Sequence, residues 1–171
     1  PPTPRGHTAR KPPRTATPPP LLVSAGLVLP GIAAAQKAPA APNYPPAVSK
    51  MVGEAKKQVK TIKMDEFKAG LEQKALGRII DVRNENEFED GYIPGAVKAP
   101  RGLIEFRIWK ELGFPAAVDM NQRLTLYCAT GGRCALATRT LGELGFTNVV
   151  SADMKFEDWV KAGNPVAKPK S

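Results

Sequence analysis

An α/β domain, with a mainly parallel five-stranded sheet flanked by helices, is the fold class the sequence predicts. From residue 60 onward, short apolar runs alternate with stretches of helical period. Glycines punctuate the ends of those stretches before the next apolar run begins. The 171 residues are 42% hydrophobic and 24% charged, near globular averages and enough for one domain plus an appendage.

Each element follows from local pattern. Lys50–Lys60 reads as a short polar helix, and Thr61-Ile62 as a weak first strand. Asp65 opens a helix that sets Phe67, Leu71 and Ala75 on one face and closes at Gly77. Arg78–Val82 is a strand, and the Gly91 to Gly95 turn leads into another at Ala96–Ala99. Leu103–Leu112 is a helix ending at Gly113, and Leu124–Tyr127 is the clearest strand. A helix from Arg133 to Leu144 places Ala137, Leu141 and Leu144 together. Asn148–Val150 is the last strand and Phe156–Ala162 the last helix, stopped by Gly163-Asn164-Pro165.

The N-terminal part is compositionally separate. The net charge of +9 invites a nucleic-acid reading, but its distribution excludes one. Arg5, Arg10, Lys11, Arg14, Lys37 and Lys50 precede the first acid, Glu54, and the rest carries 19 bases against 16 acids. Such a balance is an ordinary solvated surface, not a phosphate-tracking stripe. Of the 18 prolines, 13 fall within residues 1–46, which predicts an extended, disordered or signal-like extension. Leu21–Leu29, broken by Pro30-Gly31 and followed by Ala33-Ala34-Ala35, fits a secretory signal over residues 1–35. The run is too short to make a stable membrane span, which needs about 20 apolar residues. Export, to a bacterial periplasm, is the expected localisation, with organelle targeting as the alternative. Residues 36–49 read as a Pro/Ala-rich linker, and residues 50–171 as the domain.

Chemistry is constrained by scarcity. His7 is the only histidine and lies in the proline-rich leader, so the domain holds no Ser-His-Asp triad, Cys-His dyad or histidine-bound metal. Two cysteines build neither a disulfide framework nor a four-thiolate zinc site. No metal or cofactor is expected.

The informative segment is Cys128-Ala129-Thr130-Gly131-Gly132-Arg133-Cys134. Cys128 stands at the carboxyl end of a strand, where open parallel sheets collect ligands, and a glycine loop and a helix start follow. Backbone N–H groups there would converge on the sulfur. Helix-end electrostatics favour an anion by up to about 2 kcal/mol, so a thiolate needs no imidazole. Gly131 and Gly132 allow close backbone approach, and Arg133 adds a forked donor for an anionic substrate.

This segment resembles the Cys-x-x-Gly-x-Arg active-site loop of the rhodanese sulfurtransferases, on Cys128, Gly131 and Arg133. Asp81-Val82-Arg83, Glu87-Phe88 and Gly91-Tyr92-Ile93-Pro94-Gly95-Ala96 resemble a second signature of that family. Trp159 and Ala162-Gly163-Asn164-Pro165-Val166 resemble its C-terminal pattern. The similarity covers about residues 60–167. It implies a single rhodanese-like domain and a double displacement of the thiosulfate sulfurtransferase type. Cys128 would take sulfur from a small anionic donor such as thiosulfate, hold it as a persulfide, and pass it to a thiol or cyanide. Ala129, Thr130, Gly131, Gly132 and Arg133 would bind the substrate, with Asp81 and Arg83 supporting the loops.

The spacing from Cys128 to Arg133 is Cys-x4-Arg, whereas related phosphatases and arsenate reductases use Cys-x5-Arg for a tetrahedral oxyanion. The shorter loop suits a single sulfur atom. Three positions depart from the family pattern. Ala129 replaces a charged residue, Tyr92 a histidine, and Met154-Lys155 a glycine pair, so Met154 is expected to narrow the mouth or Lys155 to supply the missing charge. Cys134 reads as a packing residue, or else as a resolving thiol for Cys128. Alternatives to turnover are a sulfur-relay or persulfide-carrier module working with a relay protein, and a catalytically silent binding domain.

Overall fold

In the computed structural model of the protein, residues 44–169 are described. The leader read at 1–35 and the first part of the linker lie outside them. The polar helix is longer than its sequence suggests: α1 spans Pro46–Gln58, beginning four residues earlier, at the end of the segment read as linker. Proline suits a first helical turn, where its missing N–H has no intrahelical partner to lose.

The remaining order is β1 (Lys60–Ile62), α2 (Met64–Glu72), β2 (Arg78–Asp81), α3 (Glu85–Asp90) and β3 (Val97–Lys98), then α4 (Ile104–Glu111) after a 3-10 turn. β4 (Leu124–Tyr127), α5 (Gly132–Glu143), β5 (Val149–Ala152) and α6 (Phe156–Lys161) complete it. All five strands are present and every pairing is parallel, in the order β1-β5-β4-β2-β3.

Two expectations need correction. The helix over Asp65 ends at Glu72, so Ala75 lies beyond it and is exposed, while Leu76 takes the buried position. Gly77 ends that turn at φ +66°, where an added Cβ would stand 2.1 Å from the Arg123 carbonyl oxygen. The second is α3, which the apolar pattern does not signal. Its six residues bury no side chain, and it is set by capping. The Asn84 N–H donates to the Glu87 carboxylate at 3.0 Å.

The sheet separates two apolar clusters because successive strand residues point to opposite faces. Ile80, Leu126, Ile104, Ile108 and Leu141 form one cluster. Ile79, Tyr127, Phe67, Ile93 and Trp159 form the other. All four residues of β4 are buried, as a central parallel strand requires.

A polar knot lies within the second cluster. Arg83 donates to Asp81 from Nε (3.0 Å to each oxygen) and from Nη2 (2.7 Å), and Nη2 also reaches the Gly91 carbonyl at 2.6 Å. The Tyr127 hydroxyl donates to Asp81 at 2.6 Å and accepts the Ile93 N–H at 3.0 Å. Arg83 lies 3.8 Å over the Phe156 ring. Burial, then the neighbouring Asp81 charge, pushes the Tyr127 phenol well up, so it remains a donor. Removing one partner of such a pair leaves a buried charge alone. Arg83→Leu is therefore expected to lower the unfolding free energy by about 3–5 kcal/mol in urea titration, whereas exposed Arg107→Leu stays within about 0.5 kcal/mol.

Candidate active site

Topology fixes where the chemistry can sit. The connection leaving β2 runs to the edge strand β3, whereas that leaving β4 runs to β5 on the other side. The carboxyl ends of β2 and β4 therefore flank the crevice of this sheet. Cys128 follows β4 directly, and Arg83 and Glu87 follow β2.

The loop after Cys128 turns tightly enough to bring main-chain donors back onto its sulfur. Gly131 caps α5 with φ +82°, the left-handed region. A Cβ there would stand 2.8 Å from an Asp153 carboxylate oxygen, so glycine is required twice over. The Gly131 N–H donates to Cys128 Sγ at 3.2 Å, and the Cys134 N–H at 3.4 Å. The Cys134 thiol lies 3.6 Å away, sulfur to sulfur. The hydrogen bond from Cys134 acts first to lower the Cys128 thiol pKa. Burial opposes it, and the Cys134, Thr130 and Gly131 N–H groups add to it, for a value of about 6. Cys134 is pushed the other way, well up, by its contact with Cys128 and by burial. One proton is thus shared unequally, and Cys128 is the thiolate.

Both cysteines are wholly buried, and Cys128 packs with the first apolar cluster. Its sulfur lies beneath the loop, not on the surface.

Arg133 and Glu87 form a two-pronged ion pair, both prongs at 2.7 Å. The same Glu87 carboxylate caps α3, so it is held from two sides. Hydrogen bonding from Arg133 holds Glu87 below the usual carboxylate range against partial burial. Both terminal nitrogens of the Arg133 fork, read from sequence as a donor to substrate, face Glu87 in this structure. The pair ties the loop after β4 to the helix after β2, across the crevice.

On the far side of the loop, Asp153 accepts from Lys56 and Lys63, each at 2.5 Å. Partial burial raises the Asp153 pKa, but these two hydrogen bonds outweigh it and leave the carboxyl low. Val52 of α1 faces Gly132. A groove of about 360 Å³ opens here, lined by Tyr44, Val48, Val52, Lys56, Thr130 and Lys155 among others.

The sequence-derived residues thus divide. Cys128, Gly131, Gly132, Thr130 and Cys134 form one loop around the sulfur. The Ala129 side chain brings no charge, while its carbonyl accepts the Phe156 N–H at 3.0 Å. Lys155 is exposed beside Thr130 in the groove, whereas Met154 packs in the second cluster and lines a further opening with Thr130, Asp153 and Lys155. Tyr92 stacks on Phe88 at 4.1 Å. Asp81 and Arg83 make their hydrogen bonds within the polar knot, to each other, Tyr127 and Gly91. Glu87, Lys56 and Asp153 are absent from the sequence-derived site. Glu87 carried a signal, as an acid three residues after Asn84, but Lys56 and Lys63 lie 97 and 90 residues from Asp153 in sequence. No cluster of His, Cys, Asp or Glu able to hold a metal occurs among the described residues.

The family model for the rhodanese-like domain matches residues 63–162. The chain belongs to that family. Among curated relatives, a Bacillus subtilis protein, YrkF, provisionally named a sulfur carrier, is 32% identical over 98 residues, covering 57% of this chain and 49% of that protein. The chain therefore spans about half the length of that relative. A sulfurtransferase of Allochromatium vinosum is 25% identical over 91 residues, covering 53% of this chain and 78% of that protein. Among solved structures, RPA3614 of Rhodopseudomonas palustris is described as of unknown function and as a candidate tyrosine phosphatase. It superposes with a TM-score of 0.61 at 29% identity, covering 77% of this chain and all of that one. The relatives of this chain thus include a protein named a sulfurtransferase and one provisionally named a sulfur carrier.

A thiolate at neutral pH is directly measurable. Alkylation of Cys128 by iodoacetamide is expected to rise with a midpoint at pH about 6, though slowly because the sulfur is covered. Cys134→Ala removes the largest contribution and moves the midpoint upward, while Cys134→Ser, which keeps a hydroxyl donor, moves it less. Equal midpoints in all three proteins would count against the shared proton.

Proposed function

We propose that the protein is a sulfurtransferase working through a Cys128 persulfide. The observation that carries this reading is a buried sulfur with two main-chain N–H donors and a depressed pKa, in a loop of rhodanese length. Cys128 thiolate attacks the outer sulfur of a donor such as thiosulfate; the donor's S–S bond breaks and sulfite leaves with its electron pair. The sulfur stays as a persulfide anion, cradled by loop N–H groups as an oxyanion hole cradles oxygen. A thiolate or cyanide then attacks that outer sulfur, and Cys128 leaves as the thiolate it was.

Each loop residue has a part in this cycle. Gly131 supplies a donor and the turn; Gly132 opens α5 directly behind it; Thr130 and Lys155 meet the anionic donor in the groove. Arg133 is a positioning residue, holding loop geometry through Glu87. The phosphatase reading attached to RPA3614 has less support in this chain. Its loop is short by one residue, and the guanidinium that a phosphate needs faces Glu87. Sulfur relay remains the runner-up, favoured by the likeness to a sulfur carrier and by uncharged Ala129.

Cys128→Ala is expected to abolish sulfur transfer from thiosulfate to cyanide, and intact mass after donor treatment to show one extra sulfur in Cys134→Ser, which keeps Cys128 as its single thiol in the loop, but none in Cys128→Ala. Extra sulfur with negligible turnover would favour the carrier; neither signal would sink both. Lys155→Ala is expected to raise KM for thiosulfate a few-fold, roughly the 0.3–1 kcal/mol of one exposed charge, with kcat little changed.

A further inference from the structure

Cys134 is the one nucleophilic group of the site that the transfer cycle leaves unused as a nucleophile. It is wholly buried in the first turn of α5, and its surroundings are more than a packing socket. Its sulfur is 3.6 Å from Cys128 Sγ, accepts from the Ser151 hydroxyl at 3.2 Å, and lies 3.3 Å from the Ala152 carbonyl oxygen. A disulfide requires about 2.05 Å between sulfurs, so the pair needs to close by only about 1.5 Å. Neither sulfur has any other thiol within the described residues to choose.

We propose that Cys134 is a resolving thiol: it discharges the Cys128 persulfide by forming a Cys128–Cys134 disulfide and expelling the outer sulfur as hydrosulfide. This rests on the persulfide reading of Cys128. The step balances as Cys128–S–S⁻ plus Cys134–SH giving Cys128–S–S–Cys134 plus HS⁻. The bond between the two Sγ atoms forms, and the bond from Cys128 Sγ to the outer sulfur breaks. The outer sulfur keeps that electron pair and receives the Cys134 proton, so it is reduced to sulfide while Cys134 is oxidised. A dithiol reductant, small or proteinaceous, then restores both thiols and becomes a disulfide itself. The net reaction is reduction of sulfane sulfur to sulfide by a dithiol, an activity beyond transfer to cyanide or a monothiol.

The order of events follows from charge. While Cys128 is a thiolate it holds Cys134 protonated, so only Cys128 attacks the donor. Once sulfur is loaded, the negative charge moves one atom outward and that restraint weakens. The Ser151 hydroxyl is placed to stabilise charge developing on Cys134 as its proton departs.

The test uses the full chain, reduced, freed of reductant without air, and mixed with thiosulfate or inorganic polysulfide but no acceptor. Acid quench, alkylation and intact mass give the state of each sulfur, and released sulfide is trapped and counted. The parent protein is expected to lose two hydrogens, resist alkylation, and release about one sulfide per chain, whereas Cys134→Ser and Cys134→Ala stop at the persulfide with sulfide release at least about tenfold slower. The proposal is overturned if the parent keeps an alkylatable persulfide beside a free Cys134, if the variants release sulfide at the parental rate, or if the disulfide forms equally fast without donor. Those outcomes leave the transfer reading intact. Absence of any added sulfur in the variants, with no disulfide in the parent, overturns both.

Discussion

A sulfur anion inside an apolar cluster requires donors, and the rest of this structure follows from how they are supplied. Burial alone would keep Cys128 protonated. Instead, the loop folds back so that its own N–H groups point at the sulfur, and a second thiol lends its hydrogen. No imidazole takes part among the described residues. The arrangement demands a left-handed residue at Gly131 and a helix beginning at Gly132.

Such a loop does not hold its shape unaided, and two sets of contacts brace it. On one side Arg133 is clamped by Glu87, which α3 presents from beyond β2. On the other, Lys56 and Lys63 fix Asp153 against the turn. Beneath both, the Asp81, Arg83 and Tyr127 knot ties the ends of β2 and β4 to the Gly91–Ile93 loop. The crevice between those strands is thus stiff where the sulfur sits, and the polar groups that stiffen it are themselves paired.

The parts legible in the sequence were those with a period or a motif. β4 is buried throughout because it is central, and it runs straight into Cys128-Ala129-Thr130-Gly131-Gly132-Arg133, so the place of Cys128 at the strand end could be read directly. The bracing could not. Short α3 has no buried face and therefore no apolar rhythm, which hid Glu87 as the partner of Arg133. Asp153 and Lys56 are separated by most of the domain, and only folding shows that they meet. Cys134 was ambiguous for a different reason: a small buried side chain and a resolving thiol have the same letter, and only folding gives its 3.6 Å distance to Cys128.

The position of α1 carries a consequence of its own. Tyr44 and the α1 residues Val48, Val52 and Lys56 line the same groove as Thr130 and Lys155. One wall of the opening over the Cys128 loop is therefore built from outside the motif that marks the loop. Its width and polarity can be altered by exchanging side chains on that helix while every residue around the sulfur stays as it is.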